Sequence, residues 1–424
     1  MLSISMREFD HLEVGEGEPR MWSNGRISHK VGKEFFDALI PIVGEENSPF
    51  RLTTKGKSIQ AEGMVGMVSL GEVGQVEILP KIFSQQSETV DSKRVFFNML
   101  QAVPGFEVTN RGTAQLLIDD RPIFEIYIAA FAKAVENLIK IGIKSSYVDV
   151  EENLGFFRGK LLTKDNIREN LFNPQRFYVS YQDYSVNRPE NRLIKTALKQ
   201  LLAVSQNEKN LSTLRRLLFS FNEVPYSSMI QVDLDSVRID RTVEHYRESL
   251  AWARLILEQQ SPISSTGKTP FPSFTFPMDK LFEQFVASRM RKQLRTSWLS
   301  LTAQARGKHL FDDPKDFRLR PDLLLTDKQG TPQFVMDTKW KRLDSSAKHT
   351  GISQGDMYQM FAYSKKFNVA DVFLIYPETE VLSSSDQSIN FTSGKGAERT
   401  SVHVRFVNLA NMDASMRSLL NELE

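Results

Sequence analysis

Apolar residues along this chain follow two different spacings. From residue 1 to about 90, short apolar runs alternate with Gly and polar turns, as in Gly63-Met-Val-Gly-Met-Val-Ser-Leu70 and in Gln75-Val-Glu-Ile-Leu79 before Pro80. Alternation at a period of two, punctuated by Gly and Pro, predicts strands, so residues 1–90 are expected to form a β-rich domain. From 91 to 260 the spacing lengthens to the helical period, clearest over Phe124 to Ile139 and Asn191 to Leu202. A mainly helical middle domain is expected there, with a β insertion near Tyr147 to Leu162. The run SPISSTGKTPFPSFTFP, residues 261–277, is rich in Ser, Thr and Pro and is the expected linker.

Beyond it the pattern predicts a helix from Met278 to about Arg295 and strands over Ser300 to Ala305, Arg318 to Thr326 and Gln333 to Trp340. A helix over Gln354 to Lys366 and strands over Asp371 to Tyr376 and Val402 to Val407 complete it. This succession reads as an α/β domain, residues 278–424, built around a mixed sheet, and the chain as a whole as α/β.

Composition narrows the chemistry. With 54 Lys and Arg against 52 Asp and Glu, the net charge is only +2, so any hold on a polyanion must come from a local patch or from a partner. The absence of cysteine removes disulfides, thiolate nucleophiles and Cys-ligated metal. The first residues lack the apolar core of a secretory signal, and no run of about 18 apolar residues is present, so a cytoplasmic protein with no membrane segment is expected.

The chemistry concentrates in Arg320-Pro321-Asp322-Leu-Leu-Leu-Thr326 and Gln333-Phe-Val-Met-Asp337-Thr338-Lys339-Trp340. Residues two apart on a strand share a face, which places Asp337 beside Lys339. If Asp327 to Pro332 closes the two strands as a hairpin with Thr326 opposite Gln333, Asp322 falls opposite Asp337. Two carboxylates and an amine then converge. Such a pair holds Mg²⁺, with Mn²⁺ as a substitute, while the metal keeps several waters and a substrate phosphate. Lys339 would orient the attacking water and share the transition-state charge, and the Thr338 carbonyl is placed as a further ligand. The set suits phosphodiester hydrolysis. Charges embedded in the apolar runs Leu323 to Leu325 and Phe334 to Met336 cost desolvation unless used or paired, which favours a site over a solvated strand face. Two helices flank it: Met278 to Val286 carries Glu283 beside an apolar stripe, and Asp356 to Tyr363 puts Gln359 and Tyr363 on one face, with Met357, Met360 and Phe361 expected on the core side.

The order Glu283, Pro321-Asp322, Asp337-Thr-Lys339, Gln359-Met-Phe-Ala-Tyr363 resembles the PD-(D/E)XK nuclease superfamily. More narrowly it resembles the McrC family, the nuclease subunits of McrBC-type, modification-dependent restriction systems. Met278 to Val286, Asp337 to Lys341, Asp356 to Gln359, Gly74 to Lys81 and Asn187 to Leu193 are similar to McrC wording too. The resemblance implies that Asp322 and Asp337 ligate Mg²⁺, that Lys339 is catalytic, and that Glu283 reaches the metal through water. Gln359 and Tyr363 would buttress Lys339 or contact the scissile phosphate. It also implies a partner, a McrB-like AAA+ GTPase ring docked on the amino-terminal region, and a double-stranded DNA substrate bearing modified cytosine. No nucleotide site is expected on this chain: Ser265-Thr-Gly-Lys-Thr269 echoes the end of a P-loop but lacks its upstream Gly. Two rivals stay open, a stand-alone nuclease of the same superfamily and a scaffold that activates the ring without cutting.

Overall fold

The computed structural model describes residues 2–22, 26–43, 48–53, 57–71, 73–81, 89–100, 102, 122–258, 273–343, 347–379 and 389–423. The chain divides into two compact units, one of residues 1–106, 110–123 and 261–424, the other of 107–109 and 124–260. The first unit therefore joins segments that the sequence assigns to separate domains.

In the first unit, strands β1 (Leu2–Arg7), β2 (His11–Val14), β3 (Arg20–Met21) and β4 (Ile27–Val31) precede helix α1 (Lys33–Leu39). Strands β5 (Phe50–Leu52), β6 (Ser58–Ala61), β7 (Met64–Ser69) and β8 (Gly74–Leu79) follow, then helix α2 (Thr89–Leu100). They form a five-stranded sheet ordered β3-β4-β2-β6-β5 and the greater part of a second, β1-β8-β7. Met6, Leu12, Phe35, Ile59, Val68, Val76 and Ile78 pack into one core between them. Gly74 is required where β8 meets β1, because a Cβ there would lie 2.3 Å from the carbonyl oxygen of Leu2.

The second unit holds helix α3 (Ile123–Ile141, of which residue 123 belongs to the first unit), strands β9 (Ser146–Leu154) and β10 (Lys160–Leu161), helix α4 (Thr163–Asn170) and strand β11 (Phe177–Ser185). Helices α5 (Pro189–Val204), α6 (Glu208–Ser220), α7 (Ile230–Ser236) and α8 (Arg247–Glu258) complete it. Helix α5 packs against α6, α7 and α8. The β insertion is larger than the sequence indicates, since β11 pairs with both β10 and β9. Pro189 opens α5, where its missing N–H costs nothing. The fully buried Asn191 donates to the carbonyls of Lys144 and Val186 and accepts from the Tyr246 hydroxyl, so the Asn187 to Leu193 segment is a structural joint of this unit.

The last part of the chain returns to the first unit. Strand β12 (Ser273–Pro277) runs antiparallel to β7 and makes its sheet four-stranded. The end of the expected linker is thus a paired strand, while residues 261–272, including Ser265 to Thr269, lie outside the described residues. Helix α9 (Met278–Gln293) leads to β13 (Ser300–Ala303), a hairpin of β14 (Lys308–Asp312) and β15 (Lys315–Leu319), then β16 (Leu323–Thr326) and β17 (Pro332–Thr338). Helix α10 (Gln354–Phe367), strands β18 (Asp371–Pro377), β19 (Ile389–Ser393) and β20 (Thr400–Val407) and helix α11 (Met412–Leu423) follow. Six strands form a mixed sheet, β13-β16-β17-β18-β20-β19, with β17, β18 and β20 parallel. The single strand expected over Arg318 to Thr326 is instead the end of β15 and all of β16, interrupted at Arg320-Pro321-Asp322. Proline at 321 supplies no ladder hydrogen bond and leaves Asp322 at the head of β16.

Helix α10 lays Met360, Tyr363 and Phe367 on Val335, Val372, Leu374 and Val404 of the sheet. The sequence placed Phe361 on that side; it is 45% exposed and faces outward. Ser353 caps the amino end of α10 by accepting from the Asp356 N–H, and Asn368 in left-handed conformation ends it.

Candidate active site

The hairpin of β16 and β17 sets the site. Leu323, Leu324 and Leu325 pair with Met336, Val335 and Phe334, the register expected from the sequence, before an irregularity puts Thr326 opposite Pro332. Asp322 stands just ahead of this ladder. Its Oδ2 accepts from both the backbone N–H and the hydroxyl of Thr338, each at 2.7 Å. The carboxylate is thereby tied to the end of β17. Lys339 N–H donates to the Ile375 carbonyl of β18, and in a planar trans peptide the Thr338 carbonyl must point the opposite way, toward the β16 side where Asp322 stands.

Asp337 and Lys339 share a face, and Lys339 Nζ lies 2.5 Å from Asp337 Oδ2. The same Nζ donates to Gln359 Oε1 at 2.9 Å, while Gln359 Nε2 donates to the Tyr363 hydroxyl at 2.8 Å and approaches Asp337 Oδ1 at 3.4 Å. Tyr363, 2% exposed, therefore holds Gln359 from behind. On the other flank, Gln304 Nε2 donates to both oxygens of Glu283, at 2.6 and 2.8 Å. Glu283, Asp322, Asp337, Thr338, Lys339 and Gln359 line one cavity of about 640 Å³.

Its electrostatics follow from crowding acids where water is scarce. Burial, and then the Asp322 charge, push the Asp337 carboxyl up to about 7. Glu283 is raised to about 7 by the same two causes. Burial raises Asp322 as well, though its hydrogen bonds from Thr338 oppose this. For Lys339 burial works downward, but Asp337, Asp356 and Asp322 hold the ammonium above its ordinary value. Three carboxyls with weakened acidity around one cavity mark a place where added positive charge is favoured.

Sequence reasoning gave no role to several residues that complete this arrangement. Asp356 takes Lys341 at 2.6 Å and stands 3.9 Å from Lys339. Gln304 has a left-handed backbone, φ 48, and its N–H donates to the Asp322 carbonyl. The β-rich segment, in which no catalytic residue was expected, forms part of the cavity wall through Phe9, Gly63 and Lys81. Lys81 Nζ donates to the Trp340 carbonyl, and the Trp340 indole N–H reaches the buried Glu8 carboxylate. Trp340, Asp356 and Lys81 all sit inside the segments that carry the McrC resemblance, which was the available signal; Gln304 and Glu8 had none.

A family model described as "McrBC 5-methylcytosine restriction system component" matches residues 59–377, well over half of the chain. The chain belongs to the McrBC family. No curated protein matches it. A chain of the half-complex from the tetradecameric assembly of Thermococcus gammatolerans McrB AAA+ hexamers with bound McrC is similar in fold. Its TM-score is 0.68 at 17% identity, with all of both chains covered. A chain of the Thermococcus gammatolerans McrBC complex matches at TM-score 0.49 and 22% identity, over 69% of this chain and 88% of that one.

The McrBC-family cavity fits a divalent cation on its own chemistry. Asp337 Oδ2 is buried 2.5 Å from the Lys339 ammonium, and a carboxylate oxygen that meets one donor keeps a second lone pair for a ligand. Among the described residues no three acidic or histidine side chains gather into a closed cage. The donors that are present, the carboxylates of Asp322 and Asp337, are of the oxygen type that Mg²⁺ takes while keeping several waters. Among the described residues, no helix is long and apolar enough to cross a membrane.

Proposed function

We propose that this chain is the DNA-cutting subunit of a McrBC-type complex, a Mg²⁺-dependent endonuclease with a PD-(D/E)XK domain in its last third. The observation that carries the reading is the convergence of Asp322, Asp337, Lys339 and Gln359 in one cavity, in a chain of the McrBC family. Asp322 and Asp337 would hold the metal with the Thr338 carbonyl, and Glu283 would meet it through water. Bound there, Mg²⁺ supplies Lewis acidity and screens the charge of the scissile phosphate.

The chain's own residues do the rest. Lys339 presents its ammonium at the edge of the Asp337 carboxylate, where it orients the attacking water and meets charge developing on the phosphate. Gln359 fixes the Lys339 amine, and Tyr363 fixes Gln359, so the donor is positioned before substrate arrives. The substrate is double-stranded DNA carrying modified cytosine, delivered by a McrB-like AAA+ GTPase ring whose hydrolysis this chain stimulates. A near-neutral chain has little global pull on DNA, which fits delivery by a partner.

The test is plasmid cutting by the complex reconstituted with its AAA+ partner, on DNA with 5-methylcytosine. Asp337→Ala is expected to lower the rate roughly 10³-fold or more while partner binding persists. Wild-type cutting by that variant would remove the site assignment. Robust cutting by the chain without partner or nucleotide would favour a stand-alone nuclease.

A further inference from the structure

Most of the Gly74 to Lys81 segment, one of those similar to McrC wording, is accounted for by its own sheet. Gly74 lets β8 approach Leu2, Gln75 donates to the Ser3 hydroxyl, Glu77 accepts from the Ser5 hydroxyl, and Val76 and Ile78 are fully buried. Lys81 is the exception. It lies beyond the last ladder pair, Leu79 with Arg7, and past Pro80, so no strand contact calls for its side chain. Its backbone is nonetheless pinned: the Lys81 N–H donates to Glu8 Oε2 at 3.0 Å, and the Glu8 N–H donates to the Leu79 carbonyl. A lysine held this firmly at its root presents its amine at a defined place.

That place is the wall of the catalytic cavity. Lys81 Nζ donates to the carbonyl of Trp340, the residue after Lys339, at 3.0 Å, and stands 4.5 Å from the centre of the Phe9 ring. Of its three N–H groups, one is thus spent on a carbonyl, and one side of the ammonium rests on a ring. Lys339 and Lys341, which line the same cavity, have carboxylates at 2.5 and 2.6 Å. Among the described residues Lys81 has none within ion-pair distance. The acid that influences it most, Glu8, gives its oxygens to the Trp340 indole and to the Lys81 backbone instead. Burial pulls the Lys81 amine below its ordinary value, and Glu8 only partly offsets that. A largely buried ammonium without a bonded anion is costly, and a cavity of about 640 Å³ leaves room for one.

We propose that Lys81, carried by the β-rich segment, binds a phosphate of the DNA strand lying in the cutting cavity. This rests on the nuclease reading above, and gives the cavity a substrate-binding residue from outside the α/β domain. The ammonium keeps a donor that no protein group uses, and its hydrogen bond to Trp340 sets it close to Lys339. A strand in the cavity would then be gripped by two chain segments 259 residues apart, so that productive seating of DNA needs both in register. A plain brace between Trp340 and the β-rich sheet would need only the hydrogen bond and not the charge, which separates the two roles.

The full-length chain is tested in an Asp337→Ala background, with a short fluorescent duplex bearing 5-methylcytosine as the probe and binding followed by anisotropy from low salt upward. Lys81→Met keeps the apolar stem over Phe9, and Lys81→Gln keeps a neutral donor for the Trp340 carbonyl. Both are expected to weaken binding severalfold and to flatten the salt dependence by nearly one contact, and Lys81→Arg to restore both. With Asp337 intact, in the complex with the AAA+ partner, Lys81→Gln should cut plasmid roughly tenfold more slowly and Lys81→Arg near the wild-type rate. A lowered melting temperature in the neutral variants, with affinity and salt slope unchanged, makes Lys81 a brace and overturns the proposal. Neutral variants that do not fold at all mark a brace too. Full cutting by Lys81→Gln overturns it as well, as does a duplex that the chain does not hold at any salt. The nuclease reading fails separately, if Asp337→Ala cuts normally.

Discussion

Lys339 is held by three side chains, with Asp337, Gln359 and Asp356 within 3.9 Å of its amine. Lys339→Met should abolish cutting, and because it strips the counter-charge from Asp337 it should also lower thermal stability. Added Mg²⁺ should recover stability without recovering activity, measured by melting curves beside the plasmid assay; activity recovered with it would make the lysine structural. Tyr363 acts one step further out. Tyr363→Phe keeps the ring that packs on Phe367 but removes the hydroxyl that holds Gln359, so a loss of about tenfold in cutting rate at unchanged melting temperature is expected. A Tyr363→Phe variant with full activity would mean that Gln359 needs no such support.

At the level of elements, the joint between α5 and α7 offers a test that leaves the site untouched. Arg192 grips Asp233 with two hydrogen bonds, at 3.0 and 2.5 Å, and Ser227 adds a third. Burial alone would raise the Asp233 carboxyl, but these donors hold it below its ordinary value. A carboxyl with a depressed folded value contributes stability above its unfolded pKa of about 3.9 and loses it as pH falls through the folded value. Asp233→Asn should therefore destabilise the protein by roughly 3 kcal/mol at neutral pH. The difference from wild type should shrink below about pH 4. Denaturation across pH checks this, and a difference independent of pH would assign the effect to packing.

For the whole molecule, the family resemblance implied a division of labour in which the amino-terminal region docks the partner and the domain from 278 onward cuts. In the structure the amino-terminal segment and residues 261–424 belong to one compact unit. Strand β12 completes a sheet whose other members come from residues 2–79, and the Glu8, Lys81 and Trp340 hydrogen bonds fasten that sheet to the residue following Lys339. Residues 261–424 expressed alone should thus melt without cooperativity and fail to cut. In the full chain, Glu8→Ala should leave the Trp340 indole N–H and the Lys81 backbone N–H without their buried acceptor, lowering stability by roughly 2 kcal/mol and slowing cleavage. A cooperative, active 261–424 fragment would restore the simpler division.

The sequence by itself determined whatever depends on near neighbours. Residues two apart on a strand share a face whatever surrounds them, so Asp337 and Lys339 were paired from spacing alone. The short Asp327 to Pro332 connection fixed the register of Leu323 to Leu325 against Phe334 to Met336 and brought Asp322 to the same strand end. The four-residue step from Gln359 to Tyr363 likewise survived folding. Tertiary structure decided what lies beyond such spacing: Gln304 on Glu283, Asp356 beside Lys339, and Glu8 under an indole 332 residues away. The β14–β15 hairpin and the pairing of Ser273–Pro277 belong here too, because the first is largely polar and the Phe-Thr-Phe alternation of the second, short and set between prolines, does not say which strand it joins. Those contacts arise when distant strands pack to bury their apolar faces, and which polar group then finds which partner is settled by that packing.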